Sequence, residues 1–206
     1  MKSCVAFLMV LFVSATLGAQ NLALADRHFQ DGDARFQLQD YPGAITSLTT
    51  AIDLNPGSAH AFYLRGVSKE RLEDHFGAIR DFTKSIDLDA EQAEAYLQRG
   101  RAKFALQDYY GAIADFDRTL ELRPDSEDAY YQRGQAKSEL ESYQDAIADF
   151  SKIIGFNNKN KDAYFLRGVL KISLGEKESG CLDLSRAGEL GDVKAYEKIR
   201  ELCNNP

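Results

Sequence analysis

Between residues 93 and 124 the apolar and small positions fall at Tyr96, Gly100 and Phe104, then at Tyr109, Ala112, Ile113, Phe116 and Leu120. Steps of three and four residues place such positions on one face of a helix. The phase breaks at Gln107-Asp108, so the segment predicts two amphipathic helices joined by a tight turn, with Pro124 ending the second. No alternating run of β-branched residues competes as a strand. The pattern then repeats. Phe62-Tyr63-Leu64-Arg65-Gly66 is echoed by Tyr96-Leu97-Gln98-Arg99-Gly100, Tyr130-Tyr131-Gln132-Arg133-Gly134 and Tyr164-Phe165-Leu166-Arg167-Gly168, and the four arginines are 34 residues apart. A fixed period of that size marks a stack of supersecondary units, not a domain around one active centre.

Glycine inside a helix costs about 1 kcal/mol relative to alanine. Here Gly32, Gly66, Gly100, Gly134 and Gly168 recur at one phase. The repetition implies a steric demand, namely close approach of paired helices. Ala44, Ala78, Ala112 and Ala146 are the expected small partners, with Tyr41, Tyr109 and Tyr143 (His75 in the second unit) filling the wedge near each turn.

Period, helix–turn–helix and the pattern aromatic-x3-Gly…Ala-x3-Phe…Pro resemble the tetratricopeptide repeat (TPR). The residues carrying this are Phe62, Gly66, Ala78 and Phe82; Tyr96, Gly100, Ala112, Phe116 and Pro124; and Tyr130, Gly134, Ala146 and Phe150. The flanking units depart further. The first keeps Gly32, Tyr41, Ala44, Leu48 and Pro56 but has His28 where an aromatic is usual; the fifth keeps Tyr164 and Gly168, then drifts to Gly180 and Leu184. The resemblance implies an all-α TPR solenoid of helix-turn-helix repeats, with units at 25–56, 59–90, 93–124, 127–158 and 161–192 and a C-terminal capping helix at 193–203. In that cap Val193, Tyr196, Ile199 and Cys203 would form the packing stripe.

In the TPR family the first helix of each unit lines a concave face that holds a peptide segment. Carried over, the inward positions are Phe29, Tyr63, Leu97, Tyr131 and Phe165, with Gln98, Arg101, Phe104, Gln132, Gln135 and Ile172 beside them at helical spacing. Aromatic residues and arginine dominate interface energetics. The alternative for each is packing between neighbouring first helices. The family's Asn/Lys clamp for a terminal carboxylate is not supported, since Val67, Gln98, Arg101 and Gln132 stand at those positions. Cys181 and Cys203 come level in an antiparallel helix pair around the Gly188–Gly191 turn, which predicts a disulfide; the alternative is two reduced, buried thiols. No histidine lies within ten residues of either, so metal binding is not expected.

Two charge patterns follow the repeat. Arg65/Lys69, Arg99/Lys103, Arg133/Lys137 and Arg167/Lys171 are spaced i, i+4, and Asp81, Asp115, Asp149 and Asp183 follow each arginine by sixteen residues. One reading is a basic track for an anionic ligand. The other is an Arg–Asp pair inside every unit, worth about 0–1 kcal/mol where exposed. The first unit, with Asp31 and Ser47 at the two positions, cannot form that pair.

Composition narrows the function. The formal charge is −7, from 32 acids and 25 bases, and without a basic cluster the chain is not expected to bind nucleic acid. Residues 1–19 read as a secretory signal: Lys2, the apolar run Val5–Leu17, then Gly18-Ala19 with cleavage after Ala19. That run is shorter than the ~20 residues of a spanning helix. The expectation is an exported chain, periplasmic or secreted, with no membrane span after cleavage; the alternative is a membrane tether by an uncleaved anchor. Removal takes one lysine and no acid, leaving 24 bases against 32 acids. Exported chains meet oxidising conditions, which favour the disulfide. No catalytic set emerges: His28, His60 and His75 lie at unrelated phases, and there is no phosphate-binding glycine loop. Asp87, Asp89 and Glu91 lack the turn glycine and final glutamate of a calcium loop. The reading is a non-enzymatic module without cofactor or metal that binds a protein or peptide. An envelope or secreted assembly subunit using edges and loops, and an enzyme with an unrecognised site, are the alternatives.

Overall fold

The computed structural model describes the backbone of residues 2–204 and the side chains from residue 20 onward. The signal expected at residues 1–19, with Cys4, lies outside the described residues in that sense. Eleven α-helices are present and no strand occurs among the described residues: α1 (Lys2–Gln37), α2 (Tyr41–Leu54), α3 (Ala59–Glu70), α4 (His75–Leu88), α5 (Ala93–Ala105), α6 (Tyr109–Leu122), α7 (Glu127–Glu139), α8 (Tyr143–Phe156), α9 (Lys161–Ser173), α10 (Lys177–Glu189) and α11 (Val193–Lys198). A single π-helical turn, Ile199–Cys203, follows α11. No helix among the described residues is long and apolar enough to cross a membrane.

The chain divides into two compact units, Met1–Gln98 and Arg99–Pro206. In the first, α1 packs on α2, α2 on α3 and α3 on α4; in the second, α6 packs on α7, α7 on α8, α8 on α9, and α9 on α10. Each turn within a hairpin is built alike. One residue takes a left-handed conformation: Gln39, Glu73, Gln107 and Glu141, with Gly175 in the last hairpin. Such a residue lets the amides after the first helix turn back onto its final carbonyls, as Asp40 N donates to Arg35 O at 2.9 Å and Asp74 N to Lys69 O at 3.0 Å. Asp40, Asp74 and Asp108 then cap α2, α4 and α6 by accepting from the amides of Gly43, Gly77 and Gly111.

Packing explains the in-phase glycines, though with a different partner from the alanines expected. A Cβ on Gly66, Gly100 or Gly134 would meet the ring of Phe82, Phe116 or Phe150, at 2.8, 2.6 and 2.9 Å respectively. These three rings are fully buried, so they have no room to yield. Leu48 takes the ring's place over Gly32, and at Gly168 the Gly180 carbonyl oxygen comes within 2.8 Å of the same point. Ala44, Ala78, Ala112 and Ala146 are buried as well. The wedge near the turn is filled by edge-on ring pairs, Phe36 with Tyr41 and Phe104 with Tyr109, at centroid distances of 5.7 and 5.3 Å. The first unit's core gathers Leu48, Ile52, Phe62 and Leu64; a core cluster in the second gathers Phe150, Ile153 and Leu170.

The C-terminal helix caps α10 in a different orientation from the stripe expected. Ala195 is fully buried, while Val193 is 73% and Tyr196 52% exposed. The edge of the Tyr196 ring lies over Gly188, where a Cβ would come within 2.9 Å of it. Gly188 is what admits that ring: a side chain there would collide with it. The π turn follows, and a disulfide joins Cys181 to Cys203 with their Cα atoms 5.9 Å apart.

Gly100→Leu should lower stability by roughly 1–3 kcal/mol or more; urea unfolding checks it, and an unchanged midpoint contradicts the packing account. Thiol counting on the unfolded, unreduced mature chain should find neither Cys181 nor Cys203 reactive, and reduction should cost about 3 kcal/mol of stability by the loop-entropy model.

Candidate partner-binding site

The site is built on a scaffold of buried charge. Asp81, Asp115, Asp149 and Asp183 lie on second helices with side chains only 4–9% exposed. Each takes a forked pair of hydrogen bonds from the arginine sixteen residues earlier; for Asp115 these are Arg99 Nε at 2.9 Å and Nη2 at 2.7 Å. Each also takes the lysine one turn on: Lys69, Lys103, Lys137 and Lys171 approach within 2.7–2.8 Å. The pair expected from sequence is therefore a buried three-membered cluster, where the high dielectric that makes surface pairs weak does not apply.

The remaining guanidinium nitrogen ties one hairpin to the helix before it. Nη1 of Arg65 donates to Thr49 on α2 at 3.1 Å, Arg133 to Asp117 on α6 at 2.6 Å, and Arg167 to Ser151 on α8 at 3.0 Å. Burial alone would lower the Arg133 pKa, but its bonds to Asp149 and Asp117 overcome this and push it upward. Arg65, Arg133 and Arg167 also lie over the rings of Phe62, Tyr130 and Tyr164. With their donors engaged internally, these arginines do not form a track for an anionic ligand. At the corresponding positions of the first hairpin, Asp31 accepts from Ser47 at 2.5 Å and from Arg35 at 2.9 Å. These two bonds, Ser47 first, hold the Asp31 carboxyl below its usual pKa.

Locking the arginine this way leaves the residues just before it on the first helix facing elsewhere. Phe29, Tyr63, Tyr131 and Phe165 are half-buried. Tyr63 packs on Phe82 at 5.9 Å and Tyr131 edge-on to Phe150 at 6.0 Å. In the first unit His60 lies between Phe29 and Tyr63, at centroid distances of 5.3 and 6.1 Å. Gln132 and Gln135 are half-buried on α7, and Gln98 donates to Glu94 at 3.1 Å.

Four of the expected groove residues have other work. Leu97 is 2% exposed; an aliphatic side chain between the polar Gln98 and the tyrosine at 96 gains most by turning inward, and it offers no surface to a partner. Phe104 is engaged in the turn wedge with Tyr109. Ile172 packs against Gly180, whose Cβ would meet it at 2.5 Å. Arg101 reaches Asp128 through Nη2 at 3.2 Å, and its Nε is buried without a hydrogen-bond partner.

An open cleft of about 560 Å³ lies beside Tyr131, lined by Asp125, Ser126, Glu127, Asp128, Asn160 and Asp162. Ser126 and Asn160 cap α7 and α9 by accepting from Ala129 N and Ala163 N. Burial raises the Tyr131 pKa, and the charge of Asp162 raises it further. The carboxylates around this cleft were missed in the sequence. The available signal was periodic: Asp26, Glu94, Asp128 and Asp162 fall on the 34-residue repeat, three residues before the groove aromatic or leucine, with His60 in the remaining unit.

A chain of helical hairpins with this internal arrangement is a helix–turn–helix repeat protein. Family models for the TPR repeat match residues 32–73 and 100–141, and for the tetratricopeptide repeat residues 127–160, together half of the 206 residues. The chain belongs to the tetratricopeptide-repeat family, and its fold is the all-α TPR solenoid with a C-terminal capping helix. Among solved structures it is similar to MamA (22% identity over 86% of this chain and 94% of that one, TM-score 0.77). It is similar also to YrrB, described as a TPR protein with an unusual peptide-binding site (18%, 85% and 91%, TM-score 0.78). The first TPR of Spaghetti (RPAP3), bound to the HSP90 peptide SRMEEVD, matches 58% of this chain and 94% of its own at 28% identity and TM-score 0.57. Among curated protein sequences none matches significantly.

Asp149→Ala leaves half-buried Lys137 without its counter-charge and Arg133 with Asp117 alone, which should cost about 3 kcal/mol. Urea denaturation measures it; a loss below about 1 kcal/mol would place the cluster with ordinary surface pairs.

Proposed function

We propose that this chain is a non-enzymatic interaction module that holds a partner polypeptide against its first helices. The observation that carries the reading is the recurring half-buried aromatic: Tyr63 in the first unit and Tyr131 in the second each pack one side on a buried phenylalanine. Half-buried, rigid aromatics supply contact area at little conformational cost. The peptide-binding descriptions of YrrB and of the Spaghetti TPR support a binding role for the fold. The acidic HSP90 peptide bound to the latter is not the occupant proposed here, because the clamp positions hold Val67, Gln98, Arg101 and Gln132. An exported location is part of the proposal, supported by the sequence of residues 1–19 and by the Cys181–Cys203 bridge.

A second reading, a structural subunit of an envelope or secreted assembly, draws support from the hairpin turns. Leu38, Leu72 and Phe76 are exposed there in the first unit and Tyr110 in the second, as an edge used for assembly would be.

Tyr63→Ala combined with Tyr131→Ala separates the two. Pull-down of partners from the native cell extract should fall at least tenfold while the melting temperature stays within a few degrees. Undiminished capture by the double variant, with loss in Phe76→Ser/Tyr110→Ser, would instead establish the edge.

A further inference from the structure

The aromatic face carries a charge pattern that names its occupant. In the second unit the cleft beside Tyr131 is lined by four carboxylates, Asp125, Glu127, Asp128 and Asp162, and by no base. Arg101 touches one of them, Asp128, at 3.2 Å, and the other three have no basic partner among the contacts of this cleft. Asn160 donates weakly to Glu127 at 3.5 Å. In the first unit a smaller pocket of about 90 Å³ is lined by Asp26, Phe29 and His60 together with Ala25, Asn55 and Ser58. In both places a carboxylate adjoins an aromatic ring on a first helix. A ring face with a carboxylate beside it attracts ammonium and guanidinium groups, by the quadrupole of the ring and by charge.

Helix-end electrostatics does not account for the whole pattern. Acids in a first turn are favoured by the helix dipole, and this suffices for Glu127 and Asp128 on α7 and Asp162 on α9. Asp125, one residue before the Ser126 cap, lies at the same positive helix end as Glu127 and Asp128. The dipole does not reach Asp26, which lies in the body of α1 (Lys2–Gln37) and still adjoins a ring, that of Phe29.

Resting on the groove reading above, we infer that the partner segment is basic: a polypeptide stretch whose lysine or arginine side chains lie beside Tyr131, charges against Asp125, Glu127 and Asp162 of the second unit. Electrostatic complementarity of this kind sets partner choice and association rate more than affinity, so binding should weaken steeply with salt.

The test is an array of random 12-residue peptides probed with the full chain. The bound set should be enriched in lysine and arginine, and Asp125→Asn/Glu127→Gln/Asp162→Asn should weaken binding of its best members at least tenfold. Asp53→Asn/Asp87→Asn/Asp145→Asn makes the same charge change on exposed sites of α2, α4 and α8 and should leave binding unchanged. Enrichment of acidic or neutral peptides, absence of binding, or equal loss in both triple variants overturns the inference. Tyr63→Ala/Tyr131→Ala separates the two levels: if it abolishes binding while the cleft variant does not, the groove stands and its preference for bases falls; if neither variant matters, both fall.

Discussion

Everything displayed by this chain depends on a carboxylate removed from water in each of four hairpins. Asp81, Asp115, Asp149 and Asp183 are each neutralised by an arginine and a lysine from the first helix. An isolated charge at such depth is costly, and removing either partner leaves the other uncompensated. The cluster therefore fixes the rotation of one helix on the other, where apolar packing alone would tolerate slippage. The arginine does more than close its own hairpin. Its third nitrogen engages Thr49, Asp117 or Ser151 of the preceding helix, so one side chain sets both the angle within a hairpin and its seating on the previous one.

That rotation decides which residues are left to meet a partner. With the aromatic three residues before the arginine placed under the guanidinium and the glycine after it seated on the phenylalanine of the second helix, the residue following the aromatic is held half out of the core. Tyr63 and Tyr131 are such residues. The same rotation carries Asp128 and Asp162, one turn earlier on their helices, to the cleft beside Tyr131. Charge buried for architecture is thus paired within each hairpin, two bases on one carboxylate, while at the cleft carboxylates outnumber bases, which is the property a selective surface needs.

The fold was legible in the sequence because a repeat shows the same physical demand several times. One glycine in a helix is noise, but five at one phase are a packing contact; one Arg–Asp spacing is coincidence, but four are a bond. What escaped was whatever depends on the third dimension around a single position. Tyr196 and Val193 share a helical stripe with Ile199, yet Ala195 is the fully buried residue of α11, while the Tyr196 ring edge lies over Gly188. Leu97 occupies the same register as Tyr63 and Tyr131 but is buried, because register fixes the side of a helix and not how far an aliphatic chain folds in. The lysine was read as a companion of the arginine; only geometry shows that both converge on one carboxylate. The acid column was present in the sequence but lost among 32 acids, where position relative to a ring, not abundance, gives it meaning.

The central claim is that the first helices, held in rotation by the buried clusters, present the partner-binding face. Photocrosslinking in the native cell tests it most directly, with p-benzoylphenylalanine replacing Gln135 on α7 or, separately, the exposed Ala148 on α8. The account predicts a discrete polypeptide adduct from position 135 and none from position 148. An adduct from position 148 with none from position 135 would contradict it.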